Sequence, residues 1–224
     1  MNRAIRSYVL RQGRTTPAQT RALEDLFPKY GLTFSEKKIE KNLVFGREAP
    51  LLVEIGSGMG ETTAEIAKAH PGADFIAIEV HGPGVGSLLN RIDKDKLSNL
   101  RVVRHDAVEV LGHMIPDSAL AALHVFFPDP WPKKRHHKRR IVQPPFVSLV
   151  ARKLAPGGIV HLATDWPDYA DQMAVVFSEN EFFEKSTQGF VERPQTKFET
   201  RGRRLGNPIR DLYFRRRERA RAAR

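Results

Sequence analysis

Between residues 51 and 163, short apolar runs alternate with helix-like stretches, and this alternation restricts the architecture more than any other property of the chain. Residues 51–55, 74–79, 100–103, 122–127 and 159–163 read as strands. Residues 61–69, 87–93, 146–154 and 170–178 read as helices, the third stopped by Pro156-Gly157-Gly158. An earlier helix starts at Thr15-Thr16-Pro17, where a hydroxyl cap precedes proline in the first turn. Residues 209–214 read as a last strand. Strands and helices in this order argue an α/β class, a doubly wound sheet of parallel strands. A length of 224 residues suits one domain with short extensions.

The first strand runs into V-E-I-G-S-G-M-G-E, residues 53–61. Glycines at a strand-to-helix junction let the backbone turn tightly and approach a ligand, and Glu79, at the end of the second strand, is placed to accept ribose hydroxyls. The spacing of Gly56, Gly58 and Gly60 is G-x-G-x-G, not the G-x-G-x-x-G that suits a dinucleotide pyrophosphate. Acidic Glu54 ahead of the turn would repel a pyrophosphate and welcome a cation, which disfavours a nicotinamide cofactor. Asp106, after the third strand, offers an acceptor for an adenine amino group. Together these residues describe a pocket for a cationic adenosine, S-adenosylmethionine. Glu54, Glu79, Asp106, Asp129 and Asp165 all fall at or near strand ends, where ligands of open α/β sheets collect.

The net charge of +11 is unevenly spread. Residues 1–21, 131–140 and 201–224 carry +5, +6 and +8, which leaves −8 for the rest. An acidic body with basic segments fits a globular enzyme that binds a polyanion. The middle segment adjoins F-F-P-D-P-W, residues 126–131, so that an acid, an aromatic plate and several cations lie together. Trp131 suits either stacking on a base or packing beside the prolines. The absence of cysteine excludes disulfides, thiolate zinc sites and iron–sulfur clusters. His81, His105, His136 and His137 are not spaced like a metal site, so no metal is expected. The apolar run 119–127 is too short to span a bilayer, and M-N-R-A-I-R-S lacks the apolar stretch of a secretion signal. A soluble cytoplasmic protein without membrane contact is the expectation.

The motifs V-E-I-G-S-G-M-G-E, A-I-E-V-H, F-F-P-D-P-W-P-K-K-R-H-H-K-R-R, A-T-D-W and R-P-Q-T-K-F-E-T-R-G closely resemble the bacterial tRNA (guanine-N7)-methyltransferases. The resemblance covers almost the whole chain. It implies a seven-stranded, Rossmann-like methyltransferase fold that methylates guanine 46 in the tRNA variable loop. Carried over by motif, Glu54, Glu79, Asp106 and Asp129 border S-adenosylmethionine, with Gly56 and Gly58 in the cofactor loop and Asp129 as the catalytic residue. Lys133, Asp165, Thr196, Lys197, Phe198 and Glu199 meet the substrate base, and Arg135, His136, His137, Lys138, Arg139 and Arg140 contact the RNA. The expected organisation is a basic extension over residues 1–45, a catalytic domain over 46–214 and an arginine-rich tail over 215–224. Neither the tRNA subset nor the choice between monomer and homodimer is legible in the sequence.

Overall fold

The computed structural model describes residues 6–9, 13–196, 199–200, 206 and 208–218. Helices α1 (Pro17–Asp25), α2 (Phe27–Tyr30) and α3 (Lys41–Phe45) precede the sheet. Then follow β1 (Leu51–Ile55), α4 (Glu61–Ala69), β2 (Asp74–Ile78), α5 (Gly82–Asp95), β3 (Leu100–Val103), α6 (Ala107–His113) and β4 (Leu120–Phe126). A 3-10 turn over Lys134–Arg139 leads to α7 (Pro144–Lys153), β5 (Leu154–Thr164), α8 (Pro167–Glu179), β6 (Phe183–Ser186) and β7 (Arg210–Arg216). These strands form one seven-stranded sheet in the order β3-β2-β1-β4-β5-β7-β6.

Local chemistry explains the boundaries. Thr16 caps α1 through a reciprocal pair of hydrogen bonds with Gln19, satisfying two amides that the first turn leaves open. Strands β1 and β2 are buried at every position, as suits central parallel strands covered on both faces. Leu51, Val53 and Ile55 join the core under α6, α7 and α8, while Leu52 joins that under α1, α2, α4 and α5. By the two-residue period of a strand, Glu54 faces α4 with Leu52.

Four features depart from the expected pattern. Strand β7 runs antiparallel to both neighbours, so the sheet is mixed and not wholly parallel. Helix α5 starts at Gly82, five residues before the expected start, through a glycine-rich stretch that a propensity reading rejects. Two of its glycines are required by close approach: a Cβ on Gly84 would lie 2.3 Å from the Gly58 carbonyl oxygen, and one on Gly86 2.6 Å from the Gln19 carbonyl oxygen. The β4–β5 register jumps between Leu120 and Ala122, with Leu120 opposite Leu154 and Ala122 opposite Ile159. Pro156-Gly157-Gly158 therefore forms a bulge within β5 where a helix-to-strand break was expected. β7 continues to Arg216, so the domain boundary expected after residue 214 falls inside a strand. Among the described residues no helix is long and apolar enough to cross a membrane.

Candidate active site

Gly56, Gly58 and Gly60 all have positive φ, so the loop after β1 takes turns that side chains strongly disfavour. A Cβ on Gly56 or Gly58 would meet nothing within 4 Å, so these two border open space. The loop is pinned from below by Glu79, whose Oε2 accepts from the Gly58 amide at 2.8 Å and whose Oε1 accepts from the His81 amide at 2.9 Å. Burial pushes the Glu54 carboxyl up to about 7; the Thr63 hydroxyl opposes that shift and the Glu79 carboxylate adds to it. A buried acid that gains its charge near neutrality is suited to a cationic ligand. The buried Ser57 hydroxyl in the same loop has no hydrogen-bond partner among the described residues. These features fit S-adenosylmethionine, whose sulfonium and ammonium groups would meet the acids while the open glycine edge admits its chain.

Two adjoining cavities meet at this loop. One, of about 410 Å³, is lined by Gly56, Glu79, His81, His105 and Asp129, with Ser7 and Tyr8 of the N-terminal segment. The other, of about 390 Å³, is lined by Glu54, Gly56, Gly58, Met59 and Thr196. Phe126 and Phe127 belong to both walls. Each lies within the size range of small-molecule sites.

Asp129 sits on a strained stretch. Phe127 and Trp131 hold φ values of 50° and 46°, in the left-handed region that costs a residue with a side chain about 1–3 kcal/mol. The Asp129 carboxylate, exposed at the cavity lip, accepts from the Trp131 amide at 3.0 Å and braces the turn. Asp106 instead caps α6, accepting from the Val108 and Glu109 amides, and lines a neighbouring cleft of about 490 Å³ with Lys138 and Arg139. Asp165, half-buried beyond β5, lines neither of the two adjoining cavities. Thr196 accepts from the Glu199 amide at 3.0 Å, and both residues are buried. Lys197 and Phe198 lie outside the described residues.

The basic segment divides into outward and inward cations. Lys133, Lys134, Arg135 and Lys138 are exposed, and His136 and His137 are half-buried. Arg140 requires a correction: it is 2% exposed and cannot reach an RNA phosphate. Its guanidinium donates to the Pro130 carbonyl at 2.8 Å, Gln172 Oε1 at 2.6 Å and Asp168 Oδ2, locking the turn onto α8. That hydrogen bond from Arg140 holds the Asp168 carboxyl below its ordinary range. Arg139 is also engaged, donating to the Arg6 and Tyr8 carbonyls and lying 4.2 Å over the Trp131 ring. Of the two roles open to Trp131, its position permits packing. The ring is 9% exposed, and its indole N–H donates to the Ser7 carbonyl.

Sequence reasoning missed the inward face of this segment, the N-terminal residues that wall the first cavity, and Arg193, which contacts Glu199. The α6 cap had a visible signal, an aspartate followed three residues later by Glu109. The inward contacts of Arg140 and the N-terminal wall join residues far apart in the chain, and although Arg193 and Glu199 are only six residues apart, no local pattern announces their pairing.

A family described as "Putative methyltransferase" matches residues 48–212. A protein of Nitrosomonas eutropha named tRNA (guanine-N(7)-)-methyltransferase is 55% identical over 214 residues, spanning 94% of this chain and 96% of its own. One of the same name from Aromatoleum aromaticum is 56% identical over 220 residues, spanning 96% and 85%. Among solved structures, a 16S rRNA methyltransferase aligns with a TM-score of 0.57 at 18% identity, over 79% of this chain and 92% of its own. A SAM-dependent O-methyltransferase from Thermotoga maritima aligns with a TM-score of 0.54 at 14% identity, over 80% and 64%. The structural likeness establishes the shared fold.

Proposed function

Because the chain belongs to the tRNA (guanine-N7)-methyltransferase family, we propose that it methylates N7 of guanine 46 in the tRNA variable loop, with S-adenosylmethionine as donor. The observation that carries this reading is the junction of two surfaces at Asp129. Of two adjoining cavities, one lined by Glu54 and the other by Glu79, the second has Asp129 at its lip, next to a turn where Lys133, Lys134, Arg135 and Lys138 face solvent. A tRNA substrate fits an enzyme of the cytoplasm.

Bound S-adenosylmethionine supplies a methyl group on a positively charged sulfur. Guanine N7 carries an in-plane lone pair and no proton, so no residue has to act as a base toward it. Asp129 therefore orients the base and stabilises the positive charge that develops on it. Its carboxylate can accept guanine N1–H and N2–H together, a donor pair that adenine lacks. Thr196 walls the cavity beside Glu54, and Glu199, whose amide donates to it, supports it from behind. In A-form RNA the deep major groove hides N7, so an unpaired or splayed base is the accessible form, and the exposed turn grips the flanking phosphates. Alignment of nucleophile and methyl supplies most of the acceleration, on the order of 7–11 kcal/mol for well-oriented reactants.

Purified protein incubated with methyl-labelled donor and unmodified tRNA should yield N7-methylguanosine on nucleoside analysis. Replacing guanine 46 in the transcript should abolish the product. A methyl group found on any other atom, or undiminished labelling of the altered transcript, would contradict the reading.

A further inference from the structure

Arg193, in the stretch between β6 and β7, has a side chain only 6% exposed. Its Nε and Nη2 donate to the two oxygens of Asp211 at 3.1 and 3.0 Å. Nη1 donates to Glu199 Oε2 at 2.8 Å and to the Pro194 carbonyl at 3.3 Å. The guanidinium also lies 5.6 and 5.5 Å over the rings of Phe126 and Phe127. Asp211 is itself tied to β5 through His161 Nε2 at 2.7 Å. Burial opposes its ionisation, yet the hydrogen bonds from His161 and Arg193 hold its carboxyl down at about 2. It is therefore a permanent anion at neutral pH.

One planar cation thus meets three separate parts of the site. Phe126 and Phe127 wall both cavities and lead through Pro128 to Asp129. Glu199, on the other side, is joined to Thr196 by its own backbone amide. Asp211 belongs to the sheet and serves as the anchor. The fork geometry matters: a lysine would keep the charge, but a single ammonium cannot bond Asp211 bidentately, reach Glu199 and stack on rings at once.

We propose that Arg193 is the positioning residue of the guanine side of the site, setting Thr196 and Glu199 against the Phe126–Asp129 stretch from an anchor on β7. This rests on the reading that Thr196, Glu199 and Asp129 face the base. Misplacement of a reacting group by about 1 Å costs roughly 10²-fold in rate. Loss of the fork should therefore appear in turnover far more than in donor affinity, because Phe126, Phe127 and Thr196 are only part of a cavity wall that the glycine loop and Glu54 otherwise supply.

The test is a kinetic cycle on full-length protein with Arg193→Lys, Glu199→Gln and the double variant, measuring kcat and KM for tRNA, donor Kd by titration, and Tm. We expect Arg193→Lys to lower kcat about 10–100-fold with donor Kd within about twofold. The double variant should be no slower than the worse single variant by more than about threefold, because the two residues act as one unit. Losses that multiply, parental turnover in Arg193→Lys, or a matching loss of donor affinity would each overturn the proposal. Should Glu199→Gln alone keep parental turnover, the underlying reading fails and the proposal falls with it. If Arg193→Lys does not fold, Asp211→Asn loosens the anchor and leaves Glu199 its partner. It should lower kcat in the same way, and parental turnover there counts against the proposal.

Discussion

The buried Glu54 carboxyl costs the fold stability, and under the proposed function that cost serves donor binding. Its native pKa of about 7 lies above the ordinary value of 4.5, so the folded state holds the proton more tightly. The resulting penalty is absent below pH 4.5, grows between 4.5 and 7, and is complete above 7. Glu54→Gln should therefore be more stable than the parent at pH 8 by on the order of 1–3 kcal/mol, and the gain should vanish near pH 4. Urea unfolding at the two pH values checks this. A cationic donor favours the ionised form, so its binding at pH 6.5 should release a proton and tighten as pH rises through 7. Calorimetry in buffers of different ionisation heat reads this directly, and a buffer-independent enthalpy would refute it. At Asp129, replacement by alanine should lower turnover roughly 10²–10³-fold in a single-turnover assay, with tRNA affinity little changed. Both acids are visible in the sequence because each lies at the end of an apolar run. Arg140 is not legible there, because its partners Asp168 and Gln172 lie a helix away, and a cation turned inward carries the same letter as one in solvent.

At the scale of elements, the basic turn and the start of α5 make separate demands. Neutralising Arg135 and Lys138, both exposed, should weaken tRNA binding and flatten its salt dependence by roughly 0.7–0.9 in log–log slope for each phosphate no longer gripped. Donor affinity should not move, and an unaltered slope would remove the turn from the RNA interface. In α5, Gly84→Ala puts a methyl group against the Gly58 carbonyl, where backbone must yield. Donor Kd should rise roughly 5–150-fold, the equivalent of the 1–3 kcal/mol that overpacking of this kind typically costs. Titration with the donor reads the shift, and parental affinity would show that the loop has slack. The sequence delimits β1, α4 and β3 correctly because apolar period and flanking glycine, proline or acid agree there. It is silent on β6, a four-residue edge strand carrying Glu184 and Lys185, because an edge exposed to water is kept short and charged and loses the apolar signature.

For the whole molecule, donor binding and folding are coupled. The acids and the glycine loop come together only in the native sheet, so a ligand held there stabilises that state alone. Donor at 100 times its Kd should add about 2.7 kcal/mol to stability, seen as a rise in Tm that Glu54→Gln diminishes. A Tm that ignores the donor would dissociate the pocket from the fold. The reversed strand β7 carries a further consequence. The chain leaves the sheet at Ser186 and rejoins it at Arg210, whose register partner Thr164 ends β5 on the same edge as the cavities. The two points where this connection meets the sheet thus lie on one shore of the scaffold. Strand pairing holds its two ends and Arg193 moors it to Asp211 in between, so it can carry R-P-Q-T against the cavities without disturbing the register of the sheet.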